Sequence, residues 1–253
     1  MSRAKPAATV MVLRQGAEEP ELILLKRSRK VGFFPSAWVF PGGRVDELDS
    51  DFPSIGDGYQ GIGKEFAVAA VRECFEEAGF WLGQGTPSAS LRGILNRREG
   101  YLPLDGSLVA DLNQMRQWSW WITPETEPRR YDTRFFLCCV TDEQEISHDN
   151  EEAVESCWIS PRLAVEKHES EEMFVAPPTY VTLLELMKYT HIDEIWEAAN
   201  HRIIVPIQPT HFKGDGELEI RLPGHPDHPI SEKALAWSKF VLRDGRWLGF
   251  PHS

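Results

Sequence analysis

The stretch "VRECFEEAGF", Val71–Phe80, sets Glu73, Glu76 and Glu77 beside Arg72 and closes on Gly79. Apolar residues at Ala67, Val71, Cys74, Phe75 and Ala78 recur at helical spacing, which predicts a helix over 64–78 with Gly79 capping its end. At about 100° per residue, the three glutamates share roughly 100° of arc opposite that apolar stripe. Ala69 and Ala70, one turn earlier, are expected to leave the acidic face sterically open. Like charges at such spacings repel by about 0.2–0.5 kcal/mol per pair. The face is therefore either a solvated surface or the seat of something positive. Three converging carboxylates suit a hard divalent cation such as Mg²⁺, which takes oxygen ligands and is commonly shared with substrate phosphates. Arg72 precedes Glu76 by four residues, a spacing that lets an ion pair hold that carboxylate in place.

Working outward, "ATVMVL" and "ELILLKRS" read as strands separated by a polar Gly/Pro-bearing link, and "AWVFPGG" as a short strand stopped by Pro41 and the glycines. Residues 44–63 read as an Asp/Gly-rich loop. Beyond the acidic helix, "SLVADLNQMRQW" reads as a helix and "TRFFLCCVT" as a buried strand. "EAVESCWIS" follows as another strand, then "SPRLAVEKH" as a helix with Pro161 in its first turn. "PTYVTLLELMKYT" and "IDEIWEAANH" also look helical. After about His201 the texture turns β-like, with an Asp244-Gly245 turn. The expected architecture is α+β or an α/β sandwich. Residues 1–200 form its main domain, carrying the loop 44–63, and 201–253 form a β-rich extension packed on it.

Composition narrows the function. A chain of 253 residues with a formal net charge of −12 lacks the basic footprint that a nucleic-acid partner needs, and no apolar run approaches membrane-spanning length. Cys74, Cys138, Cys139 and Cys157 show no CxxC spacing and read as small buried hydrophobes in a reducing compartment. A cytoplasmic location is the expectation. The sequence leaves the oligomeric state open, with a homodimer among the alternatives.

"FPGG", Phe40–Gly43, followed by "RECFEEAGF" resembles the signature of the Nudix hydrolase superfamily, whose box ends in Arg-Glu-apolar-any-Glu-Glu-any-Gly-apolar. Arg72 through Phe80 fill that second half without a mismatch. The box here is about fifteen residues longer than usual between Gly43 and the helix. Its isolated glutamate consequently falls at Lys64, with Glu65 one place away and able to take the role. The segments "LLKRSRKVGFFPSAWVFPGGRVDELDSD", "WSWWITPETEPRRYDTRFFLCCV" and "NEEAVESCWISPRLAVE" together resemble the peroxisomal coenzyme A diphosphatase branch and its bacterial relatives, which also carry an expanded box. The likeness runs from about Ala7 to Met187. It implies the Nudix fold, an α/β/α sandwich with a mixed sheet, here with the β-rich extension added.

It also implies roles. Glu73, Glu76 and Glu77 would ligate catalytic Mg²⁺ or Mn²⁺, with the backbone carbonyl of Gly42 contributing, and Arg72 would orient the carboxylates. The substrate would be a small nucleotide, first coenzyme A or an acyl-CoA, with ADP-ribose, dinucleotides and nucleotide sugars as the alternative class. A non-catalytic binding module is the third reading, disfavoured by the intact glutamate triplet. Glu151, Glu152 and Glu155 are candidates for a general base, Glu152 foremost, against a plain acidic loop. Arg129 and Arg130 rank ahead of Arg27 and Arg29 for holding phosphate, since arginine suits bidentate contact. Trp120, Trp121 and Tyr131 read either as a stacking surface for adenine or as core.

Overall fold

The apolar runs near the N-terminus become the two central strands, β1 (Lys5–Gln15) and β2 (Pro20–Arg27). Successive side chains serve opposite faces: Ala8, Val10 and Val12 enter one buried cluster, Met11 and Leu13 the other, and Ile23/Leu25 divide from Leu22/Leu24 in the same way. Strands buried on both sides are expected to read as continuous apolar runs rather than as alternation. The structure, a computed structural model, describes residues 3–30, 34–58, 61–97, 99–141, 144–214 and 217–252.

Two short strands follow, β3 (Trp38–Val39) on β2 and β4 (Gly42–Arg44) on β1. The chain is thus not stopped at the glycines. They pair with Ala8 and Thr9 because only a side chain without a Cβ allows so close an approach: a Cβ at Gly42 would run into Thr9 and the Ala8 carbonyl. The predicted loop carries a short 3₁₀ turn at Glu47–Ser50, capped by Asp46, and then β5 (Ser54–Ile55). Helix α1 (Lys64–Ala78) ends where expected, with Gly79 at φ 68° donating to the Phe75 carbonyl.

Next come β6 (Gly83–Gln84), α2 (Ala89–Asn96), which the sequence reading missed, and β7 (Val109–Asp111). The helix expected over 107–118 is absent. Asp111 caps a 3₁₀ turn, and Met115 begins β8 (Met115–Ile122), paired antiparallel with β9 (Tyr131–Cys139). A register shift between Gln117 and Ser119 inserts one residue at Trp118. Leu108, Leu112, Met115 and Trp118 have helix-like spacing in the sequence, yet the first three enter one buried cluster and Trp118 the other, so they share no helical face.

The remainder is as expected: β10 (Ala153–Ile159), α3 (Pro161–Glu169), α4 (Pro177–Leu186) and α5 (Ile192–Asn200). The tail holds β11 (Pro206–Ile207), β12 (Thr210–Gly214), β13 (Glu217–Arg221), β14 (Trp237–Arg243) and β15 (Arg246–Pro251). The main sheet runs β10-β2-β1-β9-β8-β11 and is mixed, β1 lying parallel to β9. One face carries α1. The other carries α3, α4 and α5, and there the meander β12-β13-β14-β15 joins: Ile220, Phe240 and Trp247 share a buried cluster with Phe135 and Tyr180. The layers are those of an α/β/α sandwich with an added C-terminal sheet. All four cysteines are free thiols, and no helix among the described residues is long and apolar enough to cross a membrane.

Candidate active site

Helix α1 packs against β1 and β4, and its C-terminal half meets the Gly42-Gly43 turn of backbone. The Gly42 N–H donates to Glu77 at 2.9 Å, and a Cβ at Gly43 would collide with the Glu73 carboxyl. Gly43 therefore makes room for Glu73, while the backbone of Gly42 holds Glu77. The flank is less open than expected. Ala69 and Ala70 are fully buried, in one cluster with Phe52 from the 44–63 segment, which folds down onto the helix.

Arg72 is the hub. Its Nη1 donates to Glu73 at 3.0 Å and to Glu76 at 2.9 Å, while Nη2 donates to the Arg44 carbonyl at 2.8 Å. A forked pair reaches Asp49, Nε to Oδ1 at 2.9 Å and Nη2 to Oδ2 at 3.1 Å. Asp49 is fully buried and also accepts from the Tyr101 hydroxyl at 2.6 Å and the Asp46 N–H at 2.6 Å. Burial alone would lower the Arg72 pKa, but the bond to Asp49 and the charges of Glu73, Asp49 and Glu76 outweigh it and hold it raised. Asp49, not Glu65, is the acid that the inserted loop brings to Arg72.

The opposite wall is set by the segment before β10. Asp149 accepts from the N–H groups of Glu151, Glu152 and Ala153 at 2.8–3.1 Å, fixing the turn that carries Glu152. The Glu152 charge acts on Glu73, Glu76 and Glu77 alike, so the structure unites it with the helical triplet. Glu155 pairs with Lys26 at 2.6 Å, and neither it nor Glu151 lines the cavity that Glu152 lines. Arg92 of α2 ties the two walls together. It donates to the Glu76 and Glu77 carbonyls at 2.8 and 2.9 Å and to the Ser147 hydroxyl at 2.8 Å, placing a cation at the C-terminus of α1.

Arg72, Glu73, Glu76, Glu77, Asp149 and Glu152 line one cavity of about 1240 Å³. Among the described residues, its cationic wall residues besides Arg72 are Lys5, Arg27 and Arg44. Arg27 lies close enough to Glu77 to pull its pKa down, whereas Arg129 is exposed and Arg130 donates to the Thr123 carbonyl at 3.2 Å; neither lines the cavity. Trp121 and Tyr131 reach the wall, but Trp120 does not; it donates to Asp132 at 2.6 Å.

The donor set suits a hard cation: the side chains that α1 presents to the cavity, apart from Arg72, are the carboxylates of Glu73, Glu76 and Glu77, with no sulfur or imidazole among them. Among the described residues no three acidic side chains are already drawn around one point, because Glu73 and Glu76 turn toward Arg72 and Glu77 toward Gly42. Without a cation the crowding shows in the titration. Burial, with the Glu76 and Glu152 charges adding and Arg72 opposing, pushes Glu73 up to about 7; burial likewise raises Glu76, and raises Glu77 well above its ordinary value.

A raised carboxyl holds its proton in the fold after the unfolded chain has released it. Stability therefore falls as pH climbs from about 4.5, the ordinary value, through about 7. Thermal melts of metal-free protein across pH 4.5–8 are expected to show this decline, and added Mg²⁺ is expected to raise the midpoint more at pH 8 than at pH 5.

Comparison with known proteins places this architecture. The family model for the NUDT19 Nudix domain matches residues 61–186. Acyl-coenzyme A diphosphatase NUDT19 of Gallus gallus is 30% identical over 292 aligned positions, covering 86% of this chain and 76% of that protein. The chain belongs to the Nudix hydrolase family. The putative nudix hydrolase 7 of Caenorhabditis elegans is 32% identical, covering 80% of this chain and 68% of the worm protein. A crystal structure of a Nudix hydrolase from Alicyclobacillus acidocaldarius superposes with a TM-score of 0.69 at 27% identity, covering 81% of this chain and all of that one. The protein is accordingly an enzyme, a Nudix-type diphosphatase. Nudix hydrolases act on small nucleotides and generally use divalent metals.

Proposed function

We propose that this Nudix hydrolase is a metal-dependent diphosphatase for coenzyme A and its acyl thioesters, adding water across the diphosphate to give 3′,5′-ADP and (acyl-)4′-phosphopantetheine. One observation carries the reading: Glu73, Glu76, Glu77 and Glu152 meet in the wall of a single cavity whose volume exceeds the roughly 300–1,000 Å³ of an ordinary small-ligand site. Such a space suits a long substrate with a charged middle. The similarity to acyl-coenzyme A diphosphatase NUDT19 of Gallus gallus supports the same substrate class.

In this account Glu73, Glu76 and Glu77, with the Gly42 carbonyl, would hold Mg²⁺ or Mn²⁺, which when bound would supply charge neutralisation of the diphosphate and a water of lowered pKa. Arg72, locked by Asp49, fixes the positions of the Glu73 and Glu76 carboxylates on the cavity wall. Glu152, on its Asp149-pinned turn, accepts the proton of the attacking water at its carboxylate. Arg27 takes the phosphate contact that the sequence reading gave first to Arg129 and Arg130, since it alone of the three lines the cavity. The division into residues 1–200 and an extension over 201–253 belongs to this proposal too, with both parts serving one cavity.

The test is a substrate panel with Mg²⁺ or Mn²⁺. Release of 3′,5′-ADP from coenzyme A or an acyl-CoA is expected. Turnover of ADP-ribose, a dinucleotide or a nucleotide sugar without turnover of coenzyme A would overturn the substrate assignment.

A further inference from the structure

The cavity is not lined by the Nudix layers alone. Pro209, His211, Leu218, Ile220, Leu242 and Trp247 of the C-terminal segment complete its wall, and His211 is the sole ionisable group among them. The acidic residues that also line the cavity are Asp46 and Glu47 of the turn after β4, the three glutamates of α1, Asp149 and Glu152, and Glu127, which lies 3.4 Å from His211. Apart from that Glu127–His211 pair, the wall given by the C-terminal segment is apolar.

Strand register shows how the apolar end is made. Leu218 pairs with Leu242 across β13 and β14, and Leu242 pairs with Trp247 across β14 and β15. The three side chains form one row across three strands. Alternation sends their neighbours outward, where Glu219 bonds Lys239 at 2.7 Å and Arg221 at 2.6 Å, and Glu217 bonds Arg243 at 2.7 Å. Leu218 and Leu242 are only half-buried although they pack on the second core cluster, so their remaining surface faces the cavity they line. Phe174 and Pro177 also line the cavity. The backbone N–H of Trp247 donates to His168 Nε2 at 3.1 Å, while His168 Nδ1 donates to the Met173 carbonyl.

We infer that the Leu218–Leu242–Trp247 row is the seat of the acyl chain of a coenzyme A thioester, so that the C-terminal sheet sets the chain-length preference of the enzyme. This rests on the acyl-CoA reading above. The occupant follows from continuity and chemistry: the row opens into the same cavity as the carboxylate wall, and it offers apolar contact without charge. A chain emerging from the thioester end of the substrate, away from the diphosphate, meets those requirements. Each methylene it buries there raises kcat/KM by up to about fourfold until the space is filled.

The experiment measures kcat/KM for free coenzyme A and for acyl-CoAs from acetyl to palmitoyl. Wild type is expected to favour medium or long chains over free coenzyme A, mainly through KM. Leu218→Asn is expected to reduce the ratio of lauroyl-CoA to free coenzyme A at least tenfold. Leu242→Trp, which fills the space, is expected to move the optimum to shorter chains and carries the test should Leu218→Asn not fold. Wild type cleaving coenzyme A species with no chain-length preference, or variants leaving the ratio and optimum unmoved, would overturn the acyl seat while the coenzyme A reading stands. Wild type cleaving no coenzyme A species while hydrolysing ADP-ribose would overturn that reading, and the acyl seat with it.

Discussion

Replacing Glu76 by Gln is expected to lower kcat by about 10³-fold or more while leaving the melting temperature of metal-free protein within a few degrees of wild type. The change keeps the side-chain shape and removes one negative charge. A metal site stabilises developing charge by several kcal/mol, and each 1.36 kcal/mol is tenfold in rate. Stability is governed by two opposing effects. Glu76 loses its charged contact to Arg72 at 2.9 Å, yet burial already holds its pKa up, so the charged form is disfavoured in the fold. Arg72 also keeps Asp49 and Glu73. Steady-state kinetics and a thermal melt on the same preparation check both halves. Activity near wild type would show that this carboxylate takes no part in the chemistry.

Asp49→Asn is expected to do the reverse, striking stability first. Asp49 is fully buried and its two oxygens take the Arg72 fork. Breaking a buried ion pair from one side costs about 3–5 kcal/mol. Because Arg72 retains two glutamates, the lower end applies, a fall in melting temperature of roughly 10 °C for a domain of this size. Turnover should fall as well, since Arg72 then lacks the anchor that keeps Glu73 and Glu76 in place. Glu65→Gln is the matching control. Glu65 is in the first turn of α1, outside the Arg72 network, and a change within about 0.5 kcal/mol is expected. Equal melting temperatures for Asp49→Asn and wild type would mean that the inserted loop does not support the helix.

What could be seen in the chain alone followed from periodicity and local chemistry. The acidic helix and its Gly79 end were legible because apolar spacing, carboxylate spacing and a left-handed cap agreed over fifteen residues. The buried strands β1, β2 and β9 were legible as uninterrupted apolar runs. Glu152 was named from the family resemblance, six residues ahead of Trp158, and it lines the same cavity as the helical glutamates. Asp49 was not legible, since one aspartate among the many of 44–63 carries no local sign that it will be buried against an arginine 23 residues later. Arg92 was hidden in a helix of only eight residues. Arg27 was placed behind Arg129 and Arg130, and its position on the cavity wall was not legible because it depends on the end of β2 pairing with β10, at Ala153, a long-range fact. The helix-like spacing of Leu108, Leu112, Met115 and Trp118 misled the reading of 107–118, because these residues run through a 3₁₀ turn into β8 and serve two different clusters.

The central claim is that the carboxylates of α1 hold divalent cations for cleavage of a diphosphate. Calorimetric titration of metal-free protein with Mn²⁺ at pH 7.5 tests it most directly, on wild type and on the Glu73→Gln/Glu77→Gln double variant. Saturable uptake by wild type that is lost in the double variant is the predicted result. No uptake by wild type, or equal uptake by both proteins, would contradict the account.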